Sequence, residues 1–387
     1  MAFATGPALP PPLSLYIHFP WCVRKCPYCD FNSHESRGEI PEQAYLDALI
    51  ADLDCALPQI AGRSVETVFI GGGTPSLISS AGLTRLLREL RSRIAIKPGA
   101  EITLEANPGT VSEARLGAFR EAGISRLSLG VQSFEDARLT AIGRIHDARE
   151  AREAVEAALA HFDEVNIDLM YGLPGQGEAS ARRDFAIAAA CGVPHVSAYQ
   201  LSIEANTAFG RAPPALPGED ACADMQAAAE DRFASAGLVR YEISAFARPG
   251  HECRHNLNYW RFGDYLGLGA GAHGKRSSPR GIVRELRVMH PRRYLEAAPR
   301  FVQSSRSVAR AELPFEFMMN ALRLAAGVEE DLFAARTGLA LEEIEPVLRL
   351  ARERGLMLDA PGRLGASALG TRFLNDLLQL FLPEAPA

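Results

Sequence analysis

A chain of 387 residues, 47% hydrophobic and 23% charged, carries enough apolar material for one large domain plus a smaller module. Its net charge of -6 excludes a general nucleic-acid binder, which needs a basic footprint. No apolar run approaches the roughly 18 residues of a spanning helix, which excludes a transmembrane protein and leaves at most a peripheral membrane contact.

The chain opens with MAFATGPALPPPLS, which lacks the charged start and long apolar core of a signal peptide, so residues 1–12 read as a short, extended, Pro-rich leader. Seven cysteines, an odd and mostly scattered set, do not form a disulfide framework and point to a reducing cytoplasm. An apolar run from Leu13 to Phe19 predicts a first strand, and it leads straight into Cys22, Cys26 and Cys29. This C-x3-C-x2-C spacing lets three thiolates reach one point. A structural zinc site closes with four ligands, usually as two pairs, and no second C-x2-C pair follows. An iron–sulfur cluster normally takes four cysteines, so three leave one iron without a protein ligand.

Beyond the cysteines, helical periodicity over Pro41–Leu57 gives way to a β-branched run, Val65–Ile70, stopped by Gly71-Gly72-Gly73. Further strands are expected at Glu101–Glu105, Ser125–Gly130, Glu164–Met170 and His195–Leu201. Helices are expected near Leu83–Ile94, Ser112–Glu121, Ala148–Phe162, Glu178–Ala190 and Gly218–Ala236. Six strand–helix units in a row imply a parallel sheet with helical crossovers. Glu105, Gln132 and Asp168 fall at or just past the C-terminal ends of strands, as do Cys22 and the glycines, which favours a barrel with its site on that face.

Residues 13–236 are therefore expected to form an α/β domain. Residues 237–310 read as an extension, with a strand over Leu238–Phe246, the cluster CRHNLNYWRFGDYLGLGAGAHGK, and ten Lys or Arg from residue 274 onward against Glu285 and Glu296. That basic stretch reads as a solvated face, an acidic partner's surface or a seat for propionates. Residues 311–387, with seven Arg and twelve acids, are expected to form a smaller α+β, winged-helix-like module. Its helices are expected near Pro314–Ala325, Leu341–Arg354 and Arg372–Leu382, with a hairpin around Pro361-Gly362. Its acidity argues for an interaction or lid role rather than DNA reading.

Glycine between strand and helix allows close backbone approach, although a plain turn also explains it. Gly72, Gly73 and Thr74 lack P-loop spacing, so no nucleoside triphosphate is implied. A carboxylate at a strand end, Glu105 or Asp168, can hold ribose hydroxyls, and Arg144 can pair with a ligand carboxylate; such residues also cap loops. His255 offers an imidazole to iron, beside Asn256, with Tyr259 and Trp260 as flat apolar surface, although a histidine of the core or of a loop also explains it; Cys253 and His273 are alternative ligands.

The cysteine spacing, with Tyr28 before the last cysteine, resembles the signature of the radical S-adenosylmethionine (SAM) superfamily. The resemblance implies a [4Fe-4S] cluster whose open iron is chelated by SAM, reductive cleavage of SAM to a 5′-deoxyadenosyl radical, and an incomplete six-stranded parallel (β/α) barrel. Gly72, Gly73, Thr74, Glu105, Gln132, Arg144 and Asp168, with Tyr16 and Tyr28, match the SAM contacts of the branch that includes oxygen-independent coproporphyrinogen III oxidase. The run HNLNYW at 255–260 is similar to the haem-binding signature of the HemW-type haem chaperones. Two functions share this pattern: decarboxylation of coproporphyrinogen III, and binding of haem for transfer to client haemoproteins or from a haem donor. The oxidases carry a fourth cysteine where this chain has Phe31, have more than the fifteen residues found here before Tyr16, and lack HNxxYW. All three differences favour the chaperone.

Overall fold

The computed structural model describes residues 6–60 and 62–383, so the first five residues of the expected leader lie outside the described residues. The rest of the leader is anchored: Gly6, Pro7 and Pro11 are buried, and the Pro12 carbonyl accepts the Asp264 N–H at 2.9 Å.

Six parallel strands form the frame: β1 (Leu13–Phe19), β2 (Val65–Gly72), β3 (Ile96–Ala106), β4 (Arg126–Gln132), β5 (Glu164–Tyr171) and β6 (His195–Gln200). The crossovers are α1 (Glu42–Ile60), α2 (Ser80–Arg93), α3 (Glu113–Ala122), α4 (Ala148–His161) and α5 (Glu178–Ala190), and α6 (Glu219–Ser235) follows β6. Local chemistry sets the helix starts. Ser79 and Ser112 cap α2 and α3, and Asp147 with Glu150 makes a capping box on α4. The outward strand faces, with Leu15, Val68, Leu104, Leu127, Ile167 and Val196 at zero exposure, pack against these helices in one core. The inward faces carry Tyr16, Thr67, Glu105, Ser128, Asp168 and Tyr199, so the polar half of each alternation lines the interior.

The sheet extends past this frame at both edges. After α6 come β7 (Val239–Arg240), β8 (Ala245–Ala247), α7 (Arg254–Trp260), β9 (Asp264–Leu268), β10 (His273–Ser278), β11 (Gly281–Arg287) and β12 (Val302–Ser307). Twelve strands run in the order β12-β11-β10-β9-β1-β2-β3-β4-β5-β6-β8-β7, with β9 parallel to β1 and the outer pairs antiparallel. The expected strand Leu238–Phe246 is thus two short antiparallel strands joined by a turn.

Part of the basic stretch is buried rather than solvated, whereas Arg280, Arg292, Arg293, Arg300, Arg306 and Arg310 are exposed. Lys275 and Arg287 are each 2% exposed, Lys275 pairing with Asp264 at 3.2 Å and Arg287 with Asp52 at 2.9 Å. Arg284 holds Tyr265 and Glu316. Local charge counting overstates the surface potential because these cations are neutralised by acids distant in sequence.

The C-terminal residues build a second apolar core around Phe317, Phe333, Leu348 and Leu377, which also takes in Phe262 and Ile282 from the extension. Antiparallel pairing of Val328–Glu329 with Arg363–Leu364 supplies a small sheet. The expected closing helix is divided at Phe373 into Ala368–Arg372 and Leu374–Gln379.

Candidate functional site

Just past β1 the chain turns at Pro20 into Trp21–Cys22, which pairs in parallel with His34–Glu35 and closes the cysteine loop. Trp21 packs edge-on against Tyr45 at 4.8 Å, and Lys25 crosses the loop to donate to the Phe31 and Ser33 carbonyls at 3.1 and 2.9 Å. Cys22 is buried while Cys26 and Cys29 are half-buried. Burial pushes the Cys22 thiol up. The Arg144 guanidinium lies 3.7 Å from the Cys26 sulfur, and Ser33 lies 3.4 Å from that of Cys29.

The glycine run lies directly under this loop. A Cβ on Gly73 would sit 2.6 Å from the Trp21 carbonyl, and Gly72 has φ +119° with His18 2.6 Å from its Cβ position, so only glycine lets β2 approach β1 this closely. The N–H groups are consumed within the chain: Gly72 donates to Glu105 at 2.9 Å, Gly73 to the Phe19 carbonyl at 2.7 Å and Thr74 to the Trp21 carbonyl at 2.8 Å.

Around the same cavity of about 390 Å³ stand Cys22, Cys26, Cys29, Tyr28, Gly72, Gly73, Thr74, Glu105, Gln132, Arg144 and Asp168. The structure therefore brings the three cysteines together with every strand-end residue singled out in the sequence. Tyr16 stands behind this wall, its hydroxyl donating to His18 Nδ1 at 2.9 Å while His18 Nε2 donates to the Asn32 carbonyl. Burial raises Glu105 to about 8, with the charge of Asp168 adding to the effect. Asp168 accepts from Ser128, Asn166 and Tyr199, each at 2.8 Å, and burial raises its carboxyl too. Gln132 has φ +69° at an irregularity in the β4–β5 register, a backbone conformation that non-glycine residues adopt mainly where function or packing demands it. Arg144 bonds Asn107, donates to the Gly130 carbonyl at 2.6 Å, and leaves its buried Nε without a partner among the described residues.

Sequence reading missed His18, Asn107, Ser128 and Tyr199. His18, Asn107 and Ser128 each stand two or four residues from a recognised site residue on the same strand or its direct continuation, so period-two alternation carried their signal, whereas no residue of β6 was recognised and nothing local pointed to Tyr199.

The HNLNYW residues are elsewhere. α7 closes the inner side of the barrel at the N-terminal ends of the strands. Glu101 caps it, accepting from the Arg254 and His255 N–H groups at 3.3 and 3.1 Å. His255 is 1% exposed, with Nδ1 at 2.8 Å from Thr67 Oγ1 and Nε2 at 3.0 Å from the Tyr259 hydroxyl. The Phe69 ring lies between His255 and Tyr16, with centroids 5.0 and 6.2 Å away, and screens this floor from the cavity. Burial holds the His255 ring neutral, near 3, and both of its nitrogens are hydrogen-bonded within the chain, so an iron ligated there would replace one of these bonds.

Cys253, the first alternative, is 4% exposed and bonded to Glu101, whereas His273 is exposed. Asn256 is half-buried, and Trp260 lies beneath the Arg323 guanidinium at 4.3 Å. Trp260 and Tyr259 border a cleft of about 220 Å³, below the roughly 300–1,000 Å³ usual for small-molecule sites.

Comparison with known proteins agrees with this layout. The profile described as the radical SAM superfamily matches residues 16–186, and that of the HemN C-terminal domain matches 308–373. The chain is 46% identical to heme chaperone HemW of Escherichia coli (strain K12), over 97% of this chain and 99% of that one. It is 44% identical to the HemW of Haemophilus influenzae (strain Rd), with the same coverage. Among solved structures, coproporphyrinogen III oxidase (HemN) from Escherichia coli superposes with a TM-score of 0.81 at 22% identity, covering 96% of this chain and 90% of that one; this likeness shows the fold.

Proposed function

From the premise that the chain belongs to the heme chaperone HemW family of radical SAM proteins, we propose that it holds a [4Fe-4S] cluster and SAM in one cavity, binds haem, and passes it to client haemoproteins. Cys22, Cys26 and Cys29 would hold the cluster, and Gly72, Gly73, Thr74, Glu105, Gln132, Arg144 and Asp168, with Tyr16 and Tyr28, would surround SAM. Bound together, the two groups supply reductive cleavage of a sulfonium carbon–sulfur bond.

The donor set fits these groups. Arg144 brings its positive charge to 3.7 Å from the Cys26 sulfur, which suits an anionic cluster held there. Because the glycine-run N–H groups are already used, that wall offers carbonyl oxygens, which suit an amino group. Two buried carboxyls, Glu105 and Asp168, favour a cationic ligand.

The observation that carries the choice of chaperone over oxidase is the likeness to heme chaperone HemW, 46% identical over 97% of this chain, together with Phe31 where the oxidases carry a fourth cysteine. In this reading α7, at the floor of the barrel, is the haem-binding segment, to which His255, Asn256, Tyr259 and Trp260 would contribute. All seven cysteines are unpaired, which accords with a reducing cytoplasm, and no helix among the described residues is long and apolar enough to cross a membrane.

The test is anaerobic reconstitution followed by three measurements. The EPR signal of the reduced cluster should change on adding SAM. Ferric haem should give a saturable Soret band and then move to an apo-haemoprotein. Coproporphyrinogen III with SAM and reductant should yield no protoporphyrinogen IX, and clear turnover would replace this reading with the oxidase one.

A further inference from the structure

The reading above places haem at α7, and a cleft beside α7 has walls that suit the charged edge of that ligand. The cleft, of about 220 Å³, is bordered by Tyr259 and Trp260 of α7, by Tyr265, Lys275 and Arg284 of the sheet margin, and by Asn320 of the helix Leu313–Ala321 in the C-terminal module. Tyr259, whose hydroxyl meets His255 Nε2 at 3.0 Å, is thus both a wall of the cleft and the neighbour of the imidazole. At that volume the cleft takes one edge of a porphyrin rather than the whole ring.

Lys275 and Arg284 line the cleft and Arg323 lies over its Trp260 wall, but the three cations differ in what they have left to give. Lys275 is buried and spends its ammonium on Asp264, Ser277 and the Phe262 carbonyl. Arg284 is held by Glu316 and Tyr265. Arg323, two residues past the end of the Leu313–Ala321 helix, is different. Its guanidinium stands 4.3 Å from the centre of the Trp260 ring, its ion pair with Glu242 is 3.8 Å long and so beyond hydrogen-bond reach, and its Nε has no partner among the described residues. The indole N–H of Trp260 and Oε2 of Glu242 are likewise buried without a partner. Burial raises the Glu242 carboxyl, which weakens its hold on the arginine. Buried polar groups are normally paired, so a packed trio with unspent capacity on every member marks a contact that the chain itself does not complete. The Arg323 side chain is 33% exposed, so its terminal nitrogens can be reached from outside. The backbone fixes it in place: Leu324 bridges Glu242 in antiparallel fashion, and the Ala325 N–H donates to the Tyr241 carbonyl at 3.0 Å.

Resting on the haem-binding reading, we propose that Arg323 of the C-terminal module is the carboxylate anchor of the haem site, pairing with a propionate whose edge of the macrocycle enters the cleft beside Trp260. The Trp260 ring braces the guanidinium from one side, and Glu242 is the weak partner that the propionate displaces. The module then supplies a residue that touches the ligand, in addition to its apolar packing. At this place the chain tells haem from a porphyrin without free acids.

The experiment titrates ferric haem and its dimethyl ester, which lacks the free carboxylates, into the full-length reconstituted chain. The parent is compared with Arg323→Met, Arg323→Lys and Glu242→Gln, with circular dichroism and cluster content as checks on folding. The parent should bind haem about tenfold or more tighter than the ester. Arg323→Met should lose that preference by weakening haem alone, with the ester affinity and the Soret position kept. Arg323→Lys should recover part of the preference, and Glu242→Gln should enlarge it. Should the methionine variant misfold, the lysine and glutamine variants carry the same comparison. If the parent binds haem without preferring it to the ester, or the folded variants keep the parent's preference unchanged, this placement is overturned while the chaperone reading stands. If the parent binds neither compound, the chaperone reading itself falls.

Discussion

His255 meets the Thr67 hydroxyl at 2.8 Å, and five residues further along the same strand Gly72 donates to Glu105. At about 3.3 Å per residue the two contacts are about 16 Å apart. The strand therefore meets a buried histidine at one end and the wall of the cysteine cavity at the other.

His255→Ala should act on stability first. The His255 ring joins at Thr67 a hydrogen-bonded chain that runs on through Ser14 to Asn258, and its removal leaves buried polar groups short of a partner beside a cavity. We expect a loss of about 2–4 kcal/mol, read from urea midpoints. A variant as stable as the parent, with haem binding lost, would give His255 the role of iron ligand alone.

Arg144 joins Cys26, Asn107 and Gly130, so its replacement strikes the cluster loop and SAM wall together. Charge-assisted hydrogen bonds of this kind are worth about 1.5–3 kcal/mol each. Arg144→Met should lower iron and sulfide content after reconstitution and weaken SAM binding by tenfold or more. Arg144→Lys keeps the charge without the planar fork and should recover cluster content better than SAM affinity. Equal recovery of both would show that charge alone matters there.

SAM binding should release a proton near neutral pH. Burial raises Glu105 from its ordinary 4.5 to about 8, and a cationic ligand favours its carboxylate. Between those values the folded chain holds the proton that the unfolded chain has lost, so this group costs stability progressively as pH rises through the window. Over the same range SAM affinity should climb, by up to about tenfold per pH unit, and level off above 8. Calorimetry at pH 7 in buffers of different ionisation enthalpy measures the release directly, and buffer-independent heats would contradict it.

Asp264 is fully buried, where it pairs with Lys275 and Arg63 and accepts from Ser277. Asp264→Ala should cost about 3–5 kcal/mol, because it leaves the Lys275 charge buried and unpaired. Lys275→Met/Asp264→Leu, which removes both charges, should recover part of that loss; thermal unfolding of the three chains decides the matter.

Which parts of the molecule could be read from the sequence follows from how local their causes are. The six parallel strands are short alternations of apolar and polar residues between helical stripes, and the cavity residues sit at their ends, so alternation and spacing reveal them. Asp52 reads as one more polar residue on a helix; nothing nearby announces that it holds Arg287, 235 positions onward. Lys275 and Arg287 look like surface cations for the same reason. In the other direction, HNLNYW has the chemistry of a ligand, and only the three-dimensional placement of Thr67 and Tyr259 shows that the imidazole is consumed. The helix expected over 372–382 has an unbroken apolar stripe, yet Phe373 adopts φ -114° and ψ 45° and divides it.

Phe262 and Ile282 contribute to the same apolar interior as Phe317 and Leu377, so the acidic tail region is sewn into the sheet's basic margin. Scission near residue 308 would uncover greasy seams on both fragments, and neither half should survive as a tidy soluble piece. What looks in the sequence like a detachable appendage is better regarded as the keystone of that flank, inherited and lost together with it.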